Sequence, residues 1–134
     1  MGNAALEEDA RKRLMGFNRF CGIQLDEVDH GYSRGSCVIE EHHLNPVGIA
    51  HGGMICTLMD VCSGTAAVYA GEEKRGGVTQ SCNIHYLRPV TGNKMTCEAR
   101  VVKAGRRTSL VQAELFRGDG ELAAVGSFSF FYTD

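Results

Sequence analysis

From Gly52 to Ala70 the chain reads "GGMICTLMDVCSGTAAVYA", with one formally charged side chain, Asp60. Met54, Ile55, Leu58, Met59, Val61, Cys62, Ala66, Ala67 and Val68 cover most of a helical circumference. A helix that is apolar on nearly all sides belongs inside a protein. The pattern therefore predicts a buried helix from Gly53 to Ala70, and the rest of the chain must supply its cover. It also poses a problem, because a buried carboxylate without partners is very costly and tends to shift its pKa instead.

The flanking stretches predict the cover. After the helix come four strand-like runs, "GVTQSCNIHYLRP", "KMTCEARVVKAG", "RTSLVQAELFRG" and "ELAAVGSFSFFYT". Alternation is clearest in the last two. "FRGDGE" between them is a hairpin signal, since Asp-Gly favours primed turns, and "VTGNK" and "KAGRR" read as tight turns. Before the helix, "GIQLDEVDHGYSRGSCVIEEH" predicts two strands joined by a turn over Gly31 to Gly35. The N-terminal stretch 1–20 holds Leu6, Ala10, Leu14 and Phe17 or Phe20 at helical spacing and predicts one amphipathic helix. The order predicts an α+β domain over residues 1–134, an antiparallel sheet wrapped around a long central helix.

Composition narrows the function. A chain of 134 residues, 43% hydrophobic and 22% charged, suits one globular domain. Its formal net charge of −2 argues against a general nucleic-acid binder. No apolar run is long enough to span a bilayer, and the start of the chain has no signal-peptide core. The six cysteines form no C-x-x-C pair, and several sit in apolar runs, which predicts free thiols and a cytoplasmic location.

Two readings of Asp60 stand side by side. It pairs with an arginine or caps a loop, or it lines a cleft as base or nucleophile. The step His51-Gly52-Gly53 offers a second half of a site. The first N–H groups of a helix have no partner within it, the dipole there favours negative charge, and glycine admits a ligand to the backbone. Such a tip can hold a developing oxyanion. Gly52 and Asp60 are eight positions apart, about 12 Å along one helix at 1.5 Å per residue. Reacting groups must lie within about 3–3.5 Å. If both serve one reaction, a second copy must bring its Asp60 to this Gly52, as two antiparallel helices about a two-fold axis would.

The segment "HHLNPVGIAHGGMICTLMD" followed by "GGVTQSCNIHYLRPV" resembles the hot-dog-fold acyl-CoA thioesterases of the phenylacetic-acid-degradation protein type. The matching positions are Asn45, Gly48, His51, Gly52, Gly53 and Asp60. The resemblance implies that the Gly52 N–H polarises the thioester carbonyl, and that Asn45 binds the thioester or positions water. It implies that Asp60 of the opposite subunit activates water or attacks, and that Thr79 holds the water or the carboxylate. His51 and Gly53 border the bound substrate. It further implies an aromatic or medium-chain acyl-CoA substrate, no cofactor, and a homodimer that pairs into a homotetramer, with neither nucleic acid nor membrane as partner. A thioester is already activated, so a water, a base and an oxyanion donor suffice. Arg88, Lys103, Arg106 and Arg107 lie at predicted strand edges, where they could hold the CoA phosphates or remain solvated.

Other chemistries fit less well. His42, His43, His51 and Asp60 do not match a zinc spacing. Cys56 and Cys62 lie in the apolar helix rather than in an accessible electropositive setting. A non-catalytic acyl-CoA-binding module and a hot-dog acyl-thioester dehydratase are the alternatives. Asn45 and Thr79 around Asp60 suit water attack on the thioester carbonyl better than dehydration.

Overall fold

The computed structural model describes residues 2–134. Two short helices, α1 (Ala4–Lys12) and α2 (Gly16–Phe20), lead into strands β1 (Gln24–Asp29) and β2 (Tyr32–Val38). A 3₁₀ turn, Glu41–His43, precedes the long helix α3 (Gly52–Val68). Four strands follow, β3 (Gly77–Tyr86), β4 (Lys94–Ala104), β5 (Thr108–Arg117) and β6 (Leu122–Tyr132). All six strands form one antiparallel sheet in the order β1-β2-β4-β5-β6-β3. The sheet wraps around α3, as the order of elements predicted.

Period-two alternation sets which residues meet the helix. Ser109, Val111, Ala113 and Leu115 of β5 and Met95, Cys97 and Ala99 of β4 are buried, with more exposed residues between them. All of these but Ser109 share one core with Met54, Ile55, Leu58, Met59, Cys62 and Ala66 of α3. β2 comes closest. A Cβ on Gly35 would lie 2.7 Å from Cys62 Sγ and 2.9 Å from the Gln24 carbonyl oxygen. Ser33 Oγ donates to the Cys62 carbonyl at 2.6 Å, a buried bond between strand and helix.

The structure departs from the sequence pattern at four places. The expected single N-terminal helix is two, separated at Arg13–Met15, and Gly16 at φ +56° turns the chain. The β1–β2 turn is tighter than Gly31 to Gly35, because Gly31 at φ +68° completes it and Gly35 lies inside β2. "VTGNK" does not close a hairpin: β3 pairs with β6, so the chain crosses from the sheet edge to β4 in the interior. Lastly, α3 is not buried all round. Gly53 is exposed and Cys56, Thr57 and Asp60 are half-buried, a stripe at helical spacing that the sheet covers only in part.

β3 borders that open side. It forms one edge of the sheet, and all of its residues except Ile84 are exposed. No helix among the described residues is long and apolar enough to cross a membrane.

The Gly35 contact predicts an overpacking penalty. Gly35→Val should lower stability by about 1–3 kcal/mol, read as a fall in the urea midpoint with an unchanged slope. An unchanged midpoint would mean that α3 does not need this close approach.

Candidate active site

Asp60 sits midway along α3, on its open stripe. Thr79 of β3 donates its hydroxyl to Asp60 Oδ1 at 2.6 Å. No Lys, Arg or His among the described residues forms an ion pair with Asp60, so the arginine-pairing reading is not what the chain adopts. The carboxylate faces a cavity of about 220 Å³ that Thr79 also lines. Much of its wall is apolar, including Leu14, Val61, Val68 and Phe130, with Gly64 set into it.

The other half of the site lies at the start of α3. His51 is the N-cap, and its Nδ1 accepts from the Gly53 N–H at 2.8 Å. That contact gives His51 and Gly53, both expected beside substrate, a defined role in the helix cap. It also means that His51 Nδ1 is an acceptor here, which places the ring proton of a neutral imidazole on Nε2. The Gly52 N–H has no acceptor among the described residues. A Cβ on Gly52 would lie 3.5 Å from the Tyr86 ring, an ordinary contact distance. The chain's own packing therefore does not demand glycine at position 52.

Asn45 belongs to the same end. Its Oδ1 accepts from the Val47 N–H at 3.0 Å and the Ile49 N–H at 3.3 Å, closing the loop that Gly48 turns at φ +84°. With the oxygen engaged, the amide NH₂ is the group left to meet a ligand, and it is a donor. Bonds from Ala50 N–H to the Val90 carbonyl and from His51 N–H to the His43 carbonyl tie this loop to the β3–β4 connection and the 3₁₀ turn. Asn45, Gly52, Tyr86 and Arg88 line a separate cavity of about 350 Å³.

The two halves do not meet within one chain. The cavity of Asn45 and Gly52 shares no lining residue with that of Asp60 and Thr79. The four cations are likewise dispersed. Arg88 Nη1 donates to the Leu122 carbonyl at 2.6 Å, at the start of β6. Lys103, Arg106 and Arg107 lie at the β4–β5 turn, where the Arg107 carbonyl accepts from Tyr132 N–H at the end of β6. Ten residues of strand separate those anchor points, about 33 Å. Arg75, which sequence reasoning missed, holds this turn by donating to the Gly105 carbonyl at 3.0 Å and the Arg106 carbonyl at 2.5 Å.

The histidines and thiols have structural occupations. Buried His43 bonds through Nε2 to the Cys21 carbonyl at 2.8 Å and accepts the Glu40 N–H at Nδ1. His42 stacks at a tilt against Phe20. Burial, then the neighbouring Cys82 and Asp60, pushes the Cys56 thiol above its ordinary pKa, which keeps it protonated and a poor nucleophile. Tyr86 was missed as a site residue. Its only signal was a tyrosine two positions before Arg88, which says nothing about the helix tip it reaches.

Comparison with known proteins identifies the family. Residues 47–124, more than half of the chain, match the family model described as the thioesterase superfamily. Acyl-coenzyme A thioesterase 13 of Homo sapiens is 34% identical over 120 residues, spanning 87% of this chain and 85% of that protein. The fold superposes on the PaaI protein of the E. coli phenylacetic acid degradation operon with a TM-score of 0.87, at 21% identity over 98% of this chain and 94% of the other. A Streptococcus mutans UA159 protein solved bound to acetyl CoA superposes with a TM-score of 0.81, at 25% identity over 90% and 94%. With its hot-dog architecture and this sequence match, the chain belongs to the thioesterase superfamily and is a thioester hydrolase.

Proposed function

We propose that the protein hydrolyses aromatic or medium-chain acyl-CoA to the free acid and CoA, at sites built between two copies of the chain. The observation that carries this reading is the division of Gly52 and Asp60 between two cavities of one chain. Both border the side of α3 that the sheet covers only in part, next to the exposed edge strand β3. A second copy about a two-fold axis would cover that side and continue the sheet at β3. Each Asp60 and Thr79 would then face the partner's helix tip, giving two equal sites. Two such dimers make the homotetramer expected from the family resemblance. The human and streptococcal relatives, an acyl-coenzyme A thioesterase and a protein solved with acetyl CoA, support CoA thioesters as the substrate class. Six free thiols, four of them buried, suit a reducing cytoplasm.

The chemistry follows from the donors and acceptors in place. The thioester oxygen accepts from the Gly52 N–H and from the Asn45 amide. Thr79 fixes one oxygen of the Asp60 carboxylate, leaving the other to take a proton from water. The water oxygen attacks the carbonyl carbon, and the oxyanion that forms is held at the helix tip. Collapse breaks the carbon–sulfur bond, and the departing thiolate recovers the proton from Asp60.

The acyl group lies in the cavity beside Asp60. Along α3 this cavity runs from Asp60 to Tyr69, about 13 Å at 1.5 Å per residue, room for a medium-length chain or an aromatic ring.

Asp60→Asn should reduce kcat by at least about 10²-fold, in the range of lost general-base catalysis, with an unchanged melting temperature. Thiol release from a panel of acyl-CoAs, followed with a thiol-reactive dye, measures it. Persistent turnover in this variant removes Asp60 from the mechanism, and tight binding without thiol release by the unmodified protein favours a sensor instead. Light scattering should give at least twice the chain mass of 14.5 kDa; a monomer that turns over would sink the shared site.

Gly64 tests the acyl pocket. A Cβ there would lie 3.5 Å from the Phe130 ring, so alanine fits. Gly64→Leu should lower kcat/KM for decanoyl-CoA by about tenfold or more, the scale on which apolar pockets discriminate, while sparing acetyl-CoA. Equal losses on both substrates would place the acyl group elsewhere.

A further inference from the structure

The partly covered stripe of α3 meets β3 at two marked points. At one, Tyr86 donates its hydroxyl to the Gly52 carbonyl at 2.9 Å. At the other, Thr79 donates to Asp60 Oδ1 at 2.6 Å. Helix and strand therefore run in opposite directions here, and Cys56, four residues from both Gly52 and Asp60, falls against the middle of β3. Period-two alternation puts Cys82 on the helix-facing side of β3 with Tyr86 and with Ile84, which packs on the core. Its partner across the ladder is Phe128, buried in that core. The Cys56 and Cys82 thiols are hydrogen-bonding neighbours.

This pair differs from the other cysteines. Cys21, Cys37, Cys62 and Cys97 are buried. Cys37 Sγ donates to the Cys21 carbonyl at 3.3 Å, and Cys97 bonds with Cys62 inside the core. Burial closes those thiols to a reagent in solution. Cys82 is exposed and Cys56 half-buried, and both are free thiols. A small disulfide can reach the first, and the second stands beside it. A disulfide holds its sulfurs about 2.05 Å apart, inside the contact distance of two thiols. Closing one would draw β3 toward α3 between Gly52 and Asp60, and a misplacement of about 1 Å can cost about 10²-fold in rate.

We infer that Cys56 and Cys82 form a thiol–disulfide switch that shuts down hydrolysis when a small disulfide such as glutathione disulfide accumulates. Cys82 loses its proton to solvent, and its sulfur attacks the small disulfide. The S–S bond breaks, a mixed disulfide forms, and one small thiolate leaves and takes up a proton. Cys56 then gives its proton to solvent and attacks the Cys82 sulfur, expelling the second small thiolate. The protein pair has lost two electrons and two protons, and the small disulfide has gained them as two thiols. The protonated state of Cys56 slows the second step, but that step is intramolecular. Excess small thiol runs both steps backwards. The link needs only this chain; the loss of activity rests on the site proposed between Gly52 and Asp60.

The test treats the full-length protein and its Cys82→Ser and Cys56→Ser variants with glutathione disulfide, then removes the reagent. Peptide mass mapping after alkylation reads the linkage, and loss of thioester absorbance from decanoyl-CoA reads turnover. The unmodified protein should give a Cys56–Cys82 link within one chain and lose about tenfold or more in kcat/KM, regained with dithiothreitol. Cys82→Ser should start within about twofold of the unmodified protein and keep its activity through the treatment. Cys56→Ser, lacking the second thiol, should retain glutathione on Cys82. The inference is overturned if no such link forms, if the link joins two chains instead, if the linked protein turns over at the reduced protein's rate, or if Cys82→Ser is inactivated equally. Undiminished turnover by Asp60→Asn would defeat the proposed site without affecting formation of the link, so the two failures are told apart.

Discussion

The close seat of α3 on the inner face of the sheet is the contact on which the other features depend. Leu58, Met59, Leu115 and Phe128 are completely buried in it, each contributing about 1.5–3 kcal/mol by removal from water. Those contributions require small residues at the points of closest approach. Gly35 opposite Cys62 is one, and the small buried residues Ala66, Ala99 and Ala113 belong to the same core. The buried bond from Ser33 to the Cys62 carbonyl adds direction to a contact that hydrophobic burial alone would leave free to slide.

The same packing explains how a carboxylate can stand in so apolar a helix. A sheet that curves over one side of a helix covers the other side only in part. Asp60 lies on that partly covered stripe with Gly53, Cys56 and Thr57. It is half-buried, and the hydroxyl of Thr79 is its neighbour in place of a cation. A compensating arginine would lower the basicity that a proton acceptor needs. A neutral hydroxyl orients the group with less of that effect. The two ends of the stripe differ in kind: one presents backbone donors at the helix tip, the other an acceptor, and their separation follows from helical rise.

Much of this was legible in the sequence. The apolar run announced α3, the four strand-like runs announced β3, β4, β5 and β6, and the eight-residue spacing of Gly52 and Asp60 already required a second copy if they act together. Thr79 was named beside Asp60 only through the family resemblance, and the structure places it there. Arg88 and the group Lys103, Arg106 and Arg107, each read as a possible phosphate contact, lie toward opposite ends of β6. Their charge was readable; their distance was not. His51 and Gly53 were read as substrate neighbours, and the structure shows them closing the helix cap.

Local pattern thus determined what each segment is: burial periodicity selects helix or strand, and glycine and Asp-Gly steps mark the turns, because these depend on neighbours a few residues away. Pairing across the sheet was decided only by the tertiary structure. It sent β3 to the edge beside β6 instead of into a hairpin with β4, and it brought Tyr86 to Gly52 across 34 positions of sequence. Such contacts arise from the competition of whole strands for partners around one helix, and no short window of residues encodes its outcome.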